Sequence, residues 1–265
     1  MKKTIIITIA MLCVFGVAIM AGASKVSDNW QQPNEDKVEL STVSPVERVE
    51  EEYKEYSYII DEKSKYIENI ADGMLTYSEA SSIMGSALES ILPTLKLSEK
   101  TATIGLYRYP GSEDIIIYAM QYKSNVANSE EPIYIVAEPY TGKIIFVYLY
   151  ATPEKDIEIN DYLPPMEENE FLDIITSHLN MFGVGIPTKY SVVNNSTNYN
   201  GNENYIGRRA MLLIGDYVSQ IEWAYNEEEN ILFYCYGYDN GDMPVLTGLR
   251  TEHLKEYIEN NGNDM

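Results

Sequence analysis

The stretch Pro132 to Tyr150, PIYIVAEPYTGKIIFVYLY, decides how the rest of the chain is read. Two apolar runs flank a short Thr141-Gly142-Lys143 turn. Ile133, Ile135 and Ala137 alternate with Tyr134, Val136 and Glu138, and Ile144 to Tyr150 is almost continuously aromatic or β-branched, the types that suit strands. Gly142 supplies the permissive turn position that short Gly-containing hairpin loops use. The pattern predicts a β-hairpin, and it speaks to architecture far more directly than to activity.

Upstream of this hairpin, Thr76-Tyr77-Ser78-Glu79 has the spacing of a capping box, Ala80, Ile83, Met84, Ala87, Leu88 and Ile91 form an apolar stripe, and Pro93 marks a stop. Thr103 to Tyr109 and Asp114 to Tyr122 then flank Pro110-Gly111 as a second hairpin. One helix followed by four antiparallel strands is the plainest assembly, because short turns make neighbours antiparallel and a sheet needs a cover for its apolar face. Downstream of a Pro-containing acidic segment the order recurs. Phe171, Leu172, Ile174, Ile175, Leu179 and Phe182 make a helical stripe, and strands are expected over Thr188 to Val193, Ala210 to Ile214, Gln220 to Tyr225 and Ile231 to Tyr238. Ile144-Ile145-Phe146 corresponds to Ile231-Leu232-Phe233 at an offset of 87 residues, with Asn194 to Asn204 as an insertion.

The run Ala137-Glu138-Pro139-Tyr140-Thr141-Gly142-Lys143-Ile144-Ile145 resembles the closing hairpin of PepSY-type domains, in which an acidic residue, a Thr-Gly turn and an apolar strand follow an amphipathic helix. Glu138 stands where that family usually has Asp, with Pro139 beside it. The resemblance covers residues 75–150, and a second copy loosely. It implies a small extracytoplasmic α+β module of the kind linked to binding, inhibition or regulation.

These observations predict an α+β chain of two tandem helix-plus-antiparallel-sheet modules, over 73–150 and 167–246, joined by a linker over 151–166. Residues 247–265 are expected as a short helix and tail. Val46, Val49, Tyr53, Tyr56, Ile60, Ile67 and Ile70 take a and d positions of a heptad interrupted at Lys63, which predicts an amphipathic helix over 46–72. That helix either packs on its own domain or forms a coiled-coil dimer. Residues 24–45 are polar and read as a flexible tether.

Met1-Lys2-Lys3 and the uncharged run Thr4 to Ala23 read as an export signal, with Ala21-Gly22-Ala23 as a small-residue cleavage site. The run is also long enough for an uncleaved anchor with the lysines inside. The expected location is therefore extracytoplasmic, either secreted or tethered to the outer face of the cytoplasmic membrane, with membrane contact only through this segment. The net charge of −22 excludes a nucleic-acid partner, because an acidic surface repels phosphate backbones. Of the two cysteines, Cys13 lies within the apolar run and Cys235 is the other, so the exported chain carries no internal disulfide.

Catalysis needs convergent nucleophiles, bases or metal ligands, and the sequence offers few. His178 and His253 are the only histidines and neither has ligand spacing. Both are expected at the surface, His178 on the polar side of its helix. Cys235 sits among apolar strand residues as a small hydrophobe. Glu227-Glu228-Glu229 reads as a solvated hairpin tip, and Asp239 to Asp242 as a turn without calcium-loop spacing. No catalytic residue, metal site or cofactor is expected. The 23 tyrosines against 5 phenylalanines suit half-buried strands, or else supply a binding face for which Tyr107, Tyr109, Tyr118 and Tyr122 are candidates. Tyr107, Tyr118 and Tyr122 are the expected aromatic anchors for an extracytoplasmic protein or peptide, on a monomer or a helix-mediated dimer. The functional expectation is a non-enzymatic binding or regulatory module of the bacterial cell envelope. A structural or adhesive surface protein is the other reading, and an enzyme with an unrecognised site a third.

Overall fold

The computed structural model describes residues 54–64, 71–108, 116–126, 132–153, 164, 167–195, 205–239 and 251–265. The expected export signal and tether therefore lie outside the described residues, as does nearly all of the linker.

In chain order the elements are β1 (Ser57–Ile60), α1 (Tyr77–Ile91), β2 (Thr101–Arg108), β3 (Ile116–Lys123), β4 (Pro132–Ala137), β5 (Ile144–Ala151), α2 (Glu168–Met181), β6 (Lys189–Asn195), β7 (Tyr205–Ile214), β8 (Tyr217–Asn226), β9 (Ile231–Asp239), α3 (Thr251–Asn261) and β10 (Asn263–Asp264). The strands form one ten-stranded sheet in the order β1-β2-β3-β4-β5-β9-β8-β7-β6-β10. Every neighbouring pair is antiparallel except β1 with β2.

This corrects the expectation of two tandem modules, each with its own sheet. The strands that would have closed the two modules pair with one another, β5 with β9, in a register running from Phe146↔Gly237 to Ala151↔Leu232. The physical reason is already in β5, where IIFVYLY is apolar on both alternating faces, as strands in a sheet's interior are. Left as an edge, such a strand would invite association. The core is likewise continuous, running from Met84 and Leu88 of α1 through Ile135 and Val147 to Ile175 and Leu179 of α2.

The hairpin at the centre of the sequence reading is built as expected and touches both helices. Gly142 has φ +74°, and its amide donates to the Glu138 carbonyl at 3.0 Å. A Cβ there would stand 2.7 Å from Ile83 Cδ1, so α1 rests directly on the turn. The Ile144 amide donates to the Phe182 carbonyl at the end of α2. Helix α1 starts with the expected capping box: the Thr76 side chain accepts from the Glu79 amide and the Glu79 carboxylate from the Thr76 amide at 2.7 Å.

A second correction concerns the amphipathic helix expected over 46–72. Residues 57–60 are a strand, parallel to β2, and 61–64 a turn; residues 46–53 and 65–70 lie outside the described residues. Tyr56 to Ile60, YSYII, is rich in aromatic and β-branched types, and an open strand at the sheet's side satisfies them better than a helix does. Both helices α1 and α2 pack on one face of the sheet. On the other face α3 covers β6 to β8 through Ile258, Leu213 and Val218.

Candidate functional site

The tyrosines expected to form one aromatic face are divided by the sheet. Leu106 pairs with Tyr118 and Ile104 with Met120, so alternation sends Tyr118, Met120 and Tyr122 towards α1, where all three are buried. The Tyr118 hydroxyl donates to the Leu75 carbonyl at 2.5 Å, and its ring meets Tyr77 edge-on at 5.5 Å. Burial raises the pKa of both Tyr118 and Tyr122 well above that of an ordinary phenol. Tyr107, next to Leu106, stands on the opposite face, half-buried, and donates to Asp61 Oδ2 at 2.6 Å. A partner therefore cannot meet Tyr107, Tyr118 and Tyr122 together; the last two are core residues. Tyr109 lies outside the described residues.

His178 is also displaced from its expected place. It follows Phe171 by seven and Ile175 by three positions, which puts it on the apolar stripe of α2, and it is buried with them. Its Nδ1 lies 3.0 Å from the Tyr234 hydroxyl, with Phe182 and Trp223 each 6.2 Å away between ring centres. Burial lowers its pKa to about 4, so it is neutral at neutral pH. A base sealed under a helix has no reach to a substrate proton, and the pair reads as a hydrogen-bonded core contact. His253 falls in α3. Cys235 sits in a row of paired residues across the other face, Arg209↔Glu222↔Cys235↔Tyr148. Arg209 bridges to Glu222 at 2.9 Å, and burial, together with Glu222, pushes the thiol up to about 12, leaving it protonated and unreactive. Glu227 to Asn230 form the β8–β9 hairpin tip, and the Glu229 amide donates to Asn226 Oδ1 at 3.1 Å. Among the described residues no three His, Cys, Asp or Glu side chains gather as metal ligands.

The candidate docking feature that sequence reasoning missed is β1. Its entry is held by Tyr56, whose ring lies so close to α1 that a Cβ on Gly85 would stand 2.6 Å from it, and whose hydroxyl donates to Glu89 Oε2 at 2.8 Å. Lys54 pairs with the same carboxylate. Its exit is held by the Asp61 amide, which donates to the Ile104 carbonyl at 2.8 Å, and by the Tyr107 hydroxyl on the Asp61 side chain. Between these anchors Ile59 is 64% and Ile60 45% exposed. β1 is the outermost strand on its side, so among the described residues its outer backbone groups face no other strand. A short strand pinned at both ends, with two exposed isoleucines, can accept an added extended segment by main-chain pairing. The run YSYII was its signal in the sequence, masked there by a heptad that the same residues also satisfy. No protein-family model, curated protein or solved structure matches this chain.

Proposed function

We propose that the chain is an exported, non-enzymatic binding or regulatory module of the bacterial cell envelope, and that it takes an extended segment of an extracytoplasmic protein partner along β1. The observation that carries this reading is the preset edge: Ile59 and Ile60 stand exposed on a strand whose two ends are fixed by Tyr56 and Asp61. Preorganisation of this kind lowers the ordering cost of strand addition. The export-type N-terminal segment and the resemblance of residues 137–145 to the PepSY closing hairpin support the compartment and the regulatory class. The net charge of −22 favours a partner segment with basic residues flanking its apolar core.

The test places a photo-crosslinking amino acid at position 59 of the full-length chain in its native cells, and a control at Tyr217, exposed on β8. A discrete crosslinked protein from position 59 and not from 217, digested by protease added outside cells whose cytoplasmic membrane is intact, is the expected result. No product from position 59, or products confined to cytosolic proteins, overturns the proposal.

A further inference from the structure

The opposite side of the sheet ends differently, because the chain covers it with its own C-terminus. After α3, Gly262 turns the backbone so tightly that a Cβ there would stand 2.5 Å from the Ile258 carbonyl and 3.1 Å from that of Tyr190. Asn263 and Asp264 then pair with Tyr190 and Lys189, and the Met265 amide donates to the Thr188 carbonyl at 3.3 Å. Among the described residues this cover has few side-chain anchors. Of residues 255–265 only Ile258 is buried, in a small cluster with Leu213, Val218 and half-buried Met211 that is separate from the main core. Further ties among the described residues include the exposed Lys255–Asp216 ion pair at 2.8 Å, the Lys189 ammonium donating to the Glu259 carbonyl at 2.8 Å, and a side-chain hydrogen bond between Tyr190 and Asn263. Exposed pairs of this type contribute little. Beneath the cover lies a seven-residue strand with a β-branched centre, Val192-Val193, on which β10 pairs with only two residues.

We propose that residues 251–265 form a strap that opens as a unit without unfolding the sheet, and that it guards the β6 edge against strand addition by a second copy of this chain. Two β6 edges brought together antiparallel would make an isologous pair, in which Val192 of each copy faces Val193 of the other. A closed strap occupies one end of that edge, at Thr188 to Tyr190, and so blocks a full-length pair.

Hydrogen exchange on the purified full-length chain, with Ile258→Ser and Gly262→Val variants, tests the opening. Ile258→Ser removes the buried anchor; Gly262→Val blocks the turn by crowding the Ile258 and Tyr190 carbonyls while retaining the isoleucine. The expected result is amide exchange in β6 and the strap at least about tenfold faster in either folded variant, with β8 and β9 unchanged. Sedimentation should then show concentration-dependent dimers in the variants and monomer in the parent. Acceleration of β8 and β9 together with β6 would show the strap to be part of the global folding unit and overturn the proposal. So would unchanged β6 exchange in both variants, and variants that open yet remain monomeric would remove the guarding role.

Discussion

Under α1 and under α2 the same sheet face is covered in two different ways. The α1 side brings backbone close: its buried residues include Ala80, Ser81, Ser82, Gly85 and Ala87, and Tyr56 lies flat against Gly85. Of the two phenols that β3 buries there, Tyr118 and Tyr122, the first donates to the Leu75 carbonyl. The α2 side uses bulk: Phe171, Leu172, Ile175, His178 and Leu179 face Trp223, Tyr234 and Tyr236, and the guanidinium of Arg208 lies 5.6 Å from the Phe171 ring centre. The first solution is limited by space and the second by polar satisfaction. Each half should therefore fail to a different insult, and the second also carries a buried imidazole that acid protonates on unfolding.

The largest expected effect is a cavity on the bulky side. Phe171→Ala removes a fully buried ring and should cost about 4 kcal/mol by chemical denaturation. A loss under about 1 kcal/mol would show that the α2 side is loosely filled and break the contrast. Next is the reverse change on the close side: Gly85→Leu must displace the Tyr56 ring, at about 3 kcal/mol, and should expose β1 to proteolysis before the remainder of the sheet. Equal proteolytic sensitivity throughout would mean that β1 does not depend on this contact.

The acid response comes third. The folded chain holds His178 neutral down to about pH 4, whereas the unfolded chain binds that proton near 6.5, so acid favours unfolding. This contribution is fully present above pH 6.5, and about 3 kcal/mol of it is lost as the pH falls to 4. Stability measured against pH in the parent and in His178→Leu checks it: the variant should lose this part of the acid slope, and an unchanged slope would place the acid sensitivity elsewhere.

A smaller effect belongs to the α1 entry. Thr76→Ala removes the capping hydroxyl and should cost about 1 kcal/mol, with Thr76→Ser close to the parent. The smallest is at β1, where Ile59→Lys should change stability by under about 0.5 kcal/mol while abolishing partner capture. A large stability change at Ile59 would mean that this side chain serves the fold rather than a partner.

Much of the secondary structure was legible because it rests on local chemistry. The capping box at Thr76, the Gly142 turn, the stripes of α1 and α2 and the strands flanking both hairpins of the first half follow from periodicity and turn residues that act within a few positions. His178 was also legible, since it lies seven residues after Phe171 on the same stripe; its polarity argued for the surface, and Tyr234, 56 residues away, reversed that. The burial of Tyr118 and Tyr122 followed from alternation once the face of β3 was known, but that face was set by α1 and not by β3 itself.

By itself, then, the sequence determined where α1, α2, α3 and most strands lie, and the acidic charge. Only the tertiary structure decided that β5 and β9 meet, that YSYII is a strand and not part of a heptad helix, and that the two sides of the sheet end so differently, with no described strand beyond β1 and with β10 paired to Lys189 and Tyr190 of β6. The reason is physical: local propensity acts through neighbours a few residues apart, whereas strand partnership is chosen by burial between segments as distant as Phe146 and Gly237. An apolar strand such as β5 announces that it must be covered on both sides without saying by which partner.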